Sequence, residues 1–168
     1  YNSVGRRYEI EYPDGSAARR DFTKRGRLEE VLYDADGIGE GAPATVASLA
    51  FDDGGRETSR TLGNGLVTTR SYNRSDNLVT DIDCTGVVDF GYGYDANKNP
   101  TAQTDGIQTA HSWTAGYDEE DRLTSFDKNT YSQHDQTWSL SNVGDWDATT
   151  INTVTENRPH NDAHELLT

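Results

Sequence analysis

The sequence predicts an all-β fold made of antiparallel hairpin repeats. Three observations point there. Thr accounts for 20 of the 168 residues and Phe, Trp and Tyr for another 16, all types that suit a pleated strand. Asp (19), Gly (16) and Asn (11) supply turn formers in number. A seven-residue frame also recurs along the chain, most copies lying 20–23 residues apart. Only 28 residues are Leu, Ile, Val or Phe, a share that beside a net charge of −14 would suggest disorder. The aromatic content argues for a folded chain with a thin apolar face.

The frame has seven copies, in order. Phe22-Thr23-Lys24-Arg25-Gly26-Arg27-Leu28 is the first, followed by Phe51-Asp52-Asp53-Gly54-Gly55-Arg56-Glu57 and Tyr72-Asn73-Arg74-Ser75-Asp76-Asn77-Leu78. Next come Tyr94-Asp95-Ala96-Asn97-Lys98-Asn99-Pro100 and Tyr117-Asp118-Glu119-Glu120-Asp121-Arg122-Leu123. Leu140 to Trp146 and His160 to Leu166 are degenerate copies. The aromatic ends a strand. The Asp or Asn after it can bond the backbone two residues on and start a turn. The fifth position, often Gly, suits a left-handed backbone. Arg or Asn follows, and the next strand begins.

A second set of turns lies about midway between copies: Pro13-Asp14-Gly15, Gly63-Asn64-Gly65, Thr85-Gly86, Asp105-Gly106 and Lys128-Asn129. Asn-Gly and Asp-Gly between strand-like runs are strong hairpin signals. Each repeat therefore holds two strands, about 14 in all, and no helix of ten or more residues is expected. A sheet that wide, roughly 65 Å at 4.7–4.9 Å per strand, should curve. In the long step between Phe22 and Phe51, residues 37–45 read as a loop insertion, with a strand re-entering over Ala44 to Phe51.

Charge and motifs narrow the function. Residues 1–84 carry −4 and residues 85–168 carry −10, which argues against nucleic acid. No run approaches a membrane span. Tyr1 to Ile10 does not read as a signal peptide, and the chain has no Met, so it reads as a piece of something longer. One cysteine, Cys84, leaves no disulfide framework. Asp52-Asp53, Glu119-Glu120 and Asp81-Ile82-Asp83 could pose as acid/base pairs, but they lie at turns or on strands. Asp34-Ala35-Asp36-Gly37 starts like a calcium loop and then fails, because Ile38 and Thr45 stand where ligands are needed. Calcium between the acidic turns is the one cofactor the composition admits. His160 and His164 have zinc-like spacing without the accompanying glutamate. Tyr92, Tyr94, Trp113, Tyr117, Trp138 and Trp146 could stack on sugar, or form a cross-strand ladder, the preferred reading.

The frame resembles the YD repeats of RHS (rearrangement hot spot) proteins, whose motif runs tyrosine-aspartate, loose positions, glycine, arginine, leucine. The resemblance extends over nearly the whole chain. It picks out Phe22, Gly26, Arg27, Phe51, Asp52, Gly55, Arg56, Tyr72, Asn73, Tyr94, Asp95, Tyr117, Asp118, Arg122 and Trp146 as the motif residues. Wall-associated bacterial proteins, Tc-toxin cocoons and teneurins belong to that family. The resemblance implies a spiralling β-shell or fibre and an extracellular or cell-surface bacterial location. It implies a non-enzymatic structural role, with neighbouring repeats or further copies as partners. The alternatives are a surface module binding glycans or a partner protein, or part of a toxin-encapsulating cocoon.

Overall fold

The computed structural model describes residues 5, 6, 8–37 and 41–167. Fourteen strands form one open antiparallel sheet whose strand order follows chain order. The strands are β1 (Glu9–Glu11), β2 (Ala17–Phe22), β3 (Leu28–Asp34), β4 (Ala44–Phe51), β5 (Glu57–Leu62), β6 (Val67–Tyr72), β7 (Val79–Cys84), β8 (Val88–Tyr94), β9 (Pro100–Asp105), β10 (Trp113–Tyr117), β11 (Leu123–Asp127), β12 (Gln136–Leu140), β13 (Trp146–Ile151) and β14 (Val154–Asn157). Two short 3₁₀ turns, Thr109–His111 and Ser132–His134, are the only helical elements among the described residues. No helix there is long and apolar enough to cross a membrane.

Contacts divide the chain into two units. Residues 1–71 with 83–85 form the first, and residues 72–82 with 86–168 form the second. Within each, the same hairpin recurs. Asp52 N–H donates to the Arg56 carbonyl at 3.0 Å, and Gly55 N–H donates to the Asp52 carbonyl at 2.8 Å. This is a three-residue loop whose last residue is left-handed. The turns at Thr23, Asp95, Asp118, Ser141 and Asn161 repeat that pairing. So do those at Tyr12 and Leu62, which belong to the second set.

A register shift accompanies the frame. In the five copies whose first and seventh positions lie in strands paired with each other, those positions pair: Phe22 with Leu28, Phe51 with Glu57, Tyr94 with Pro100, Tyr117 with Leu123, Leu140 with Trp146. The ladder slips just before each of these pairs, leaving one extra residue on the outgoing strand: Glu29, Thr58, Thr101, Thr124 and Asp147. Such bulges increase local twist.

Two expected tight turns are longer than the dipeptides suggest. Gly106 is not left-handed, and Asp105 instead accepts the N–H groups of Ile107 and Gln108 at 3.0 and 2.7 Å. The chain then passes through a 3₁₀ turn before β10, and the Ser112 hydroxyl accepts the Asp105 N–H at 2.9 Å. Lys128-Asn129 likewise opens a longer connection, closed by Asp135 accepting the Lys128 N–H at 2.9 Å. In both, an aspartate side chain supplies acceptors that a two-residue hairpin would not need.

Burial is sparse. The chain exposes 11148 Å², against about 8200 Å² for a compact monomer of 18.6 kDa. Ala17, Leu32 and Cys84 are the only buried apolar side chains among the described residues, and none is completely buried. Ala17 and Leu32 share a cavity of about 160 Å³ with Gly41 and Pro43, so the end of the insertion lies against this face. Residues 38–40 of the insertion fall outside the described part; β4 begins at Ala44, where the strand was expected to re-enter. Elsewhere aromatic pairs hold the ladder. Trp113 on β10 and Phe126 on β11 lie 5.6 Å apart between ring centroids, and Trp138 on β12 and Trp146 on β13 6.2 Å; Phe90 and Tyr92, 6.4 Å apart, are neighbours along β8. Leu32→Ala is expected to cost about 2 kcal/mol, the low end for such a change because the side chain lines an open cleft and has fewer packing contacts to lose. Val143→Ala, at a position 67% exposed, should stay within about 0.5 kcal/mol. Urea denaturation of both variants checks the contrast.

Candidate functional site

The repeat turns concentrate the polar organisation of the chain. Asp52 is their pattern. One carboxylate oxygen accepts the Arg56 N–H at 2.9 Å, and the other takes Arg56 Nε at 2.6 Å and Nη2 at 2.5 Å. Asp118 holds Arg122 the same way, at 2.9 Å to the backbone and 2.7 Å to Nε. Asp95 holds Asn99, at 2.9 Å to the N–H and 3.0 Å to Nδ2. Shorter side chains serve elsewhere: Thr23 accepts the Arg27 N–H at 3.1 Å, and Ser141 the Asp145 N–H at 3.0 Å. In the last copy Asn161 accepts the Glu165 N–H at 3.0 Å. In these six copies the second position closes the loop onto the sixth.

The fifth position is left-handed in six copies: Gly26, Gly55, Lys98, Asp121, Gly144 and His164, with φ of 77°, 81°, 75°, 62°, 95° and 62°. The copy at Tyr72 differs. Asn73 N–H pairs with the Leu78 carbonyl, so its loop holds four residues, and Asn77 rather than Asp76 is left-handed at φ 62°. Asn tolerates that backbone better than most residues.

These carboxylates are held below their ordinary value of 3.8. For Asp52 the leading cause is the hydrogen bond from the Arg56 N–H, then the Arg56 side chain. For Asp118 and Asp95 desolvation pushes upward, and the backbone and side chain of Arg122 and Asn99 overcome it.

Within each unit, turns also reach one another. In the first unit the Arg27 guanidinium lies 5.5 Å over the Phe51 ring and packs on Gly55. Arg6 lies 5.5 Å over Phe22, packs on Gly26 and bonds its carbonyl. Arg25 donates to the Asp53 carbonyl. In the second unit Arg122 Nη1 donates to the Ser141 carbonyl at 2.8 Å, and Asn99 Nδ2 to Asp121 Oδ1 at 2.7 Å. Lys98 pairs with Asp76 at 3.2 Å, and His164 Nδ1 lies 2.7 Å from Asp145 Oδ2. Tyrosine hydroxyls reach the other way. Tyr94 donates to the Val79 carbonyl at 2.9 Å and Tyr117 to the Pro100 carbonyl at 3.1 Å, both in the preceding repeat.

The motif residues picked from sequence therefore occupy these turns and their flanks. Tyr72 ends β6, and Asn73 closes its four-residue loop through the N–H groups of Asp76 and Leu78. Trp146, the seventh position of its copy, pairs with Trp138 and carries Arg158 at 5.8 Å over its ring. Arg6 was overlooked: Tyr1-Asn2-Ser3-Val4-Gly5-Arg6 fits the frame 21 residues before Phe22, and Gly5 is left-handed at φ 75°. Asn152-Thr153, a two-residue turn with both φ positive, was missed as well, because it carries no glycine. Of the acid pairs, Asp52 is taken by Arg56 and Glu120 pairs with Arg122 at 2.9 Å. Asp34 accepts the Asp36 N–H at 3.2 Å. His160 bridges Leu166 and His164 sits in a left-handed turn, so the two do not share a helix face.

No protein-family model and no curated protein matches the chain. Solved structures do. A chain of the Photorhabdus luminescens Tc holotoxin pore matches 94% of this chain with a TM-score of 0.64 at 16% identity. A chain of the TcdB2-TccC3-TEV structure gives the same values, and one of TcdB2-TccC3-Cdc42 matches 89% with a TM-score of 0.59 at 15% identity. The likeness is one of fold. This chain spans 9% of the length of each of those chains.

Two outcomes follow. Gly55→Ala and Gly65→Ala both force a Cβ onto a left-handed backbone, about 1–2 kcal/mol each. Nothing lies near the Cβ at Gly65, whereas at Gly55 it displaces Arg27, so Gly55→Ala should cost about 0.5–1 kcal/mol more. Equal losses in denaturant melts would remove Arg27 from the account. Because the Asp carboxyls titrate low when folded, their contribution is complete above the ordinary 3.8 and is lost as pH falls through the folded value. The Asp52→Asn, Asp118→Asn pair should lower Tm at pH 7 and flatten the fall in Tm between pH 5 and 3.

Proposed function

We propose that the chain is a non-enzymatic structural segment of an extracellular or cell-surface RHS/YD-repeat protein, a length of shell or fibre wall. The observation that carries this is the linkage of turn to turn. Polar and cationic side chains that in an enzyme would face a substrate are here directed at the neighbouring repeat, as Arg122 is at Ser141 and Arg27 at Phe51. The thin burial supports it, since a repeat array gains stability from neighbours as well as from its own core. The fold likeness to chains of Tc toxin assemblies supports it too. Electron microscopy of the whole protein carrying this segment tests the reading. The repeats are expected to form part of a continuous wall. A detached domain tethered by a mobile linker would contradict it, as would saturable hydrolytic activity abolished by substituting a turn carboxylate.

A further inference from the structure

One turn breaks the charge pattern. Asp52 and Asp118 neutralise the arginine at the sixth position of their own copies. In the first copy the second position is Thr23, which accepts only the Arg27 N–H. The third and fourth positions, acidic or neutral in most copies, are Lys24 and Arg25. Lys24, Arg25 and Arg27 have no carboxylate partner among the described residues: Arg25 bonds a carbonyl and Arg27 lies on Phe51. The three line an open cleft of about 300 Å³ with Thr23, Phe51, Gly55, Asp52 and Asp53. The Asp52 carboxylate in that cleft is already held by Arg56. Seven of the 15 basic residues of this −14 chain fall within residues 6–27.

We propose that this cleft is a binding site for a short acidic peptide segment. The sister turns show the chemistry: a carboxylate lies against the guanidinium of the sixth position at 2.5–2.7 Å, and such charge-assisted pairs are the strong ones. At Thr23 that carboxylate is missing, and an incoming one takes its place on Arg27. Lys24 and Arg25, both exposed, meet the adjacent acids of the same segment. A long polyphosphate chain would have to run on over a strongly acidic molecule, whereas a short peptide reaches little beyond Lys24, Arg25 and Arg27, with Asp53 the one carboxylate of the cleft that no ion pair among the described residues holds. A wall role requires no such site, so the inference goes beyond it.

Titration of the whole chain with a blocked Asp-Glu-Glu-Asp tetrapeptide tests it, with a blocked tetralysine peptide, inorganic phosphate and a short oligonucleotide as comparators. Saturable binding of the acidic peptide, weakened by added salt, is expected. The Lys24→Ala, Arg25→Ala pair should weaken it about tenfold or more. Thr23→Asp supplies the missing carboxylate, so it should weaken binding by a similar factor while raising Tm. A purely structural role for Thr23 would move Tm and leave affinity alone. Unchanged affinity in Thr23→Asp, absence of peptide binding, or tighter binding of phosphate or oligonucleotide would overturn the proposal. If Thr23→Asp misfolds, the Lys24 and Arg25 variants, altered at exposed side chains, decide alone.

Discussion

The structure depends on what the sixth residue of the turn does. At Arg27, Asn99 and Arg122 it is held at its base by the second residue of its own turn and reaches with its free end to the next one. Arg122 shows both halves: Asp118 fixes Nε at 2.7 Å, which leaves Nη1 aimed at the Ser141 carbonyl at 2.8 Å. Asn99 does the same with an amide, between Asp95 and Asp121. The carboxylate therefore closes a loop and also orients a side chain whose target is another repeat. An exposed ion pair alone stabilises little. One that also aims a second contact at the next turn adds to the cooperativity between repeats.

That arrangement explains a chain so poor in aliphatic residues. A single-layer sheet has few interior positions, and among the described residues only Ala17, Leu32 and Cys84 are buried apolar ones. Aromatic rings cover the sheet in pairs such as Trp113–Phe126, and the hydroxyls of Tyr94 and Tyr117 tie their strands to the one before. The glycines at the fifth position have two tasks. They admit a left-handed backbone, and at Gly26 and Gly55 they leave room for the preceding arginine to lie flat over the turn.

Much of this was legible in the sequence, because the frame states its own geometry. The strand count, the fifth-position backbone and the re-entry at Ala44 follow from aromatic, Asp and Gly spacing. What was not legible follows from chemistry that several residue types share. Asn152-Thr153 turns without glycine, and Asn77 displaces Asp76 because one inserted residue moves the left-handed position. Asp105-Gly106 has the look of a hairpin dipeptide, yet its aspartate binds forward along the backbone and lengthens the loop. The link from turn to turn could not be read at all. Nothing in a linear repeat shows that the sixth side chain of one copy ends on the second or fifth residue of the next.

Residue-resolved hydrogen exchange on Arg122→Ala measures that link most directly. The account predicts faster exchange in its own turn, at Asp121, and also in the following turn, at the N–H groups of Gly144 and Asp145, which hold the Ser141 loop closed. Acceleration confined to residues 117–123, with Gly144 and Asp145 protected as before, would contradict it.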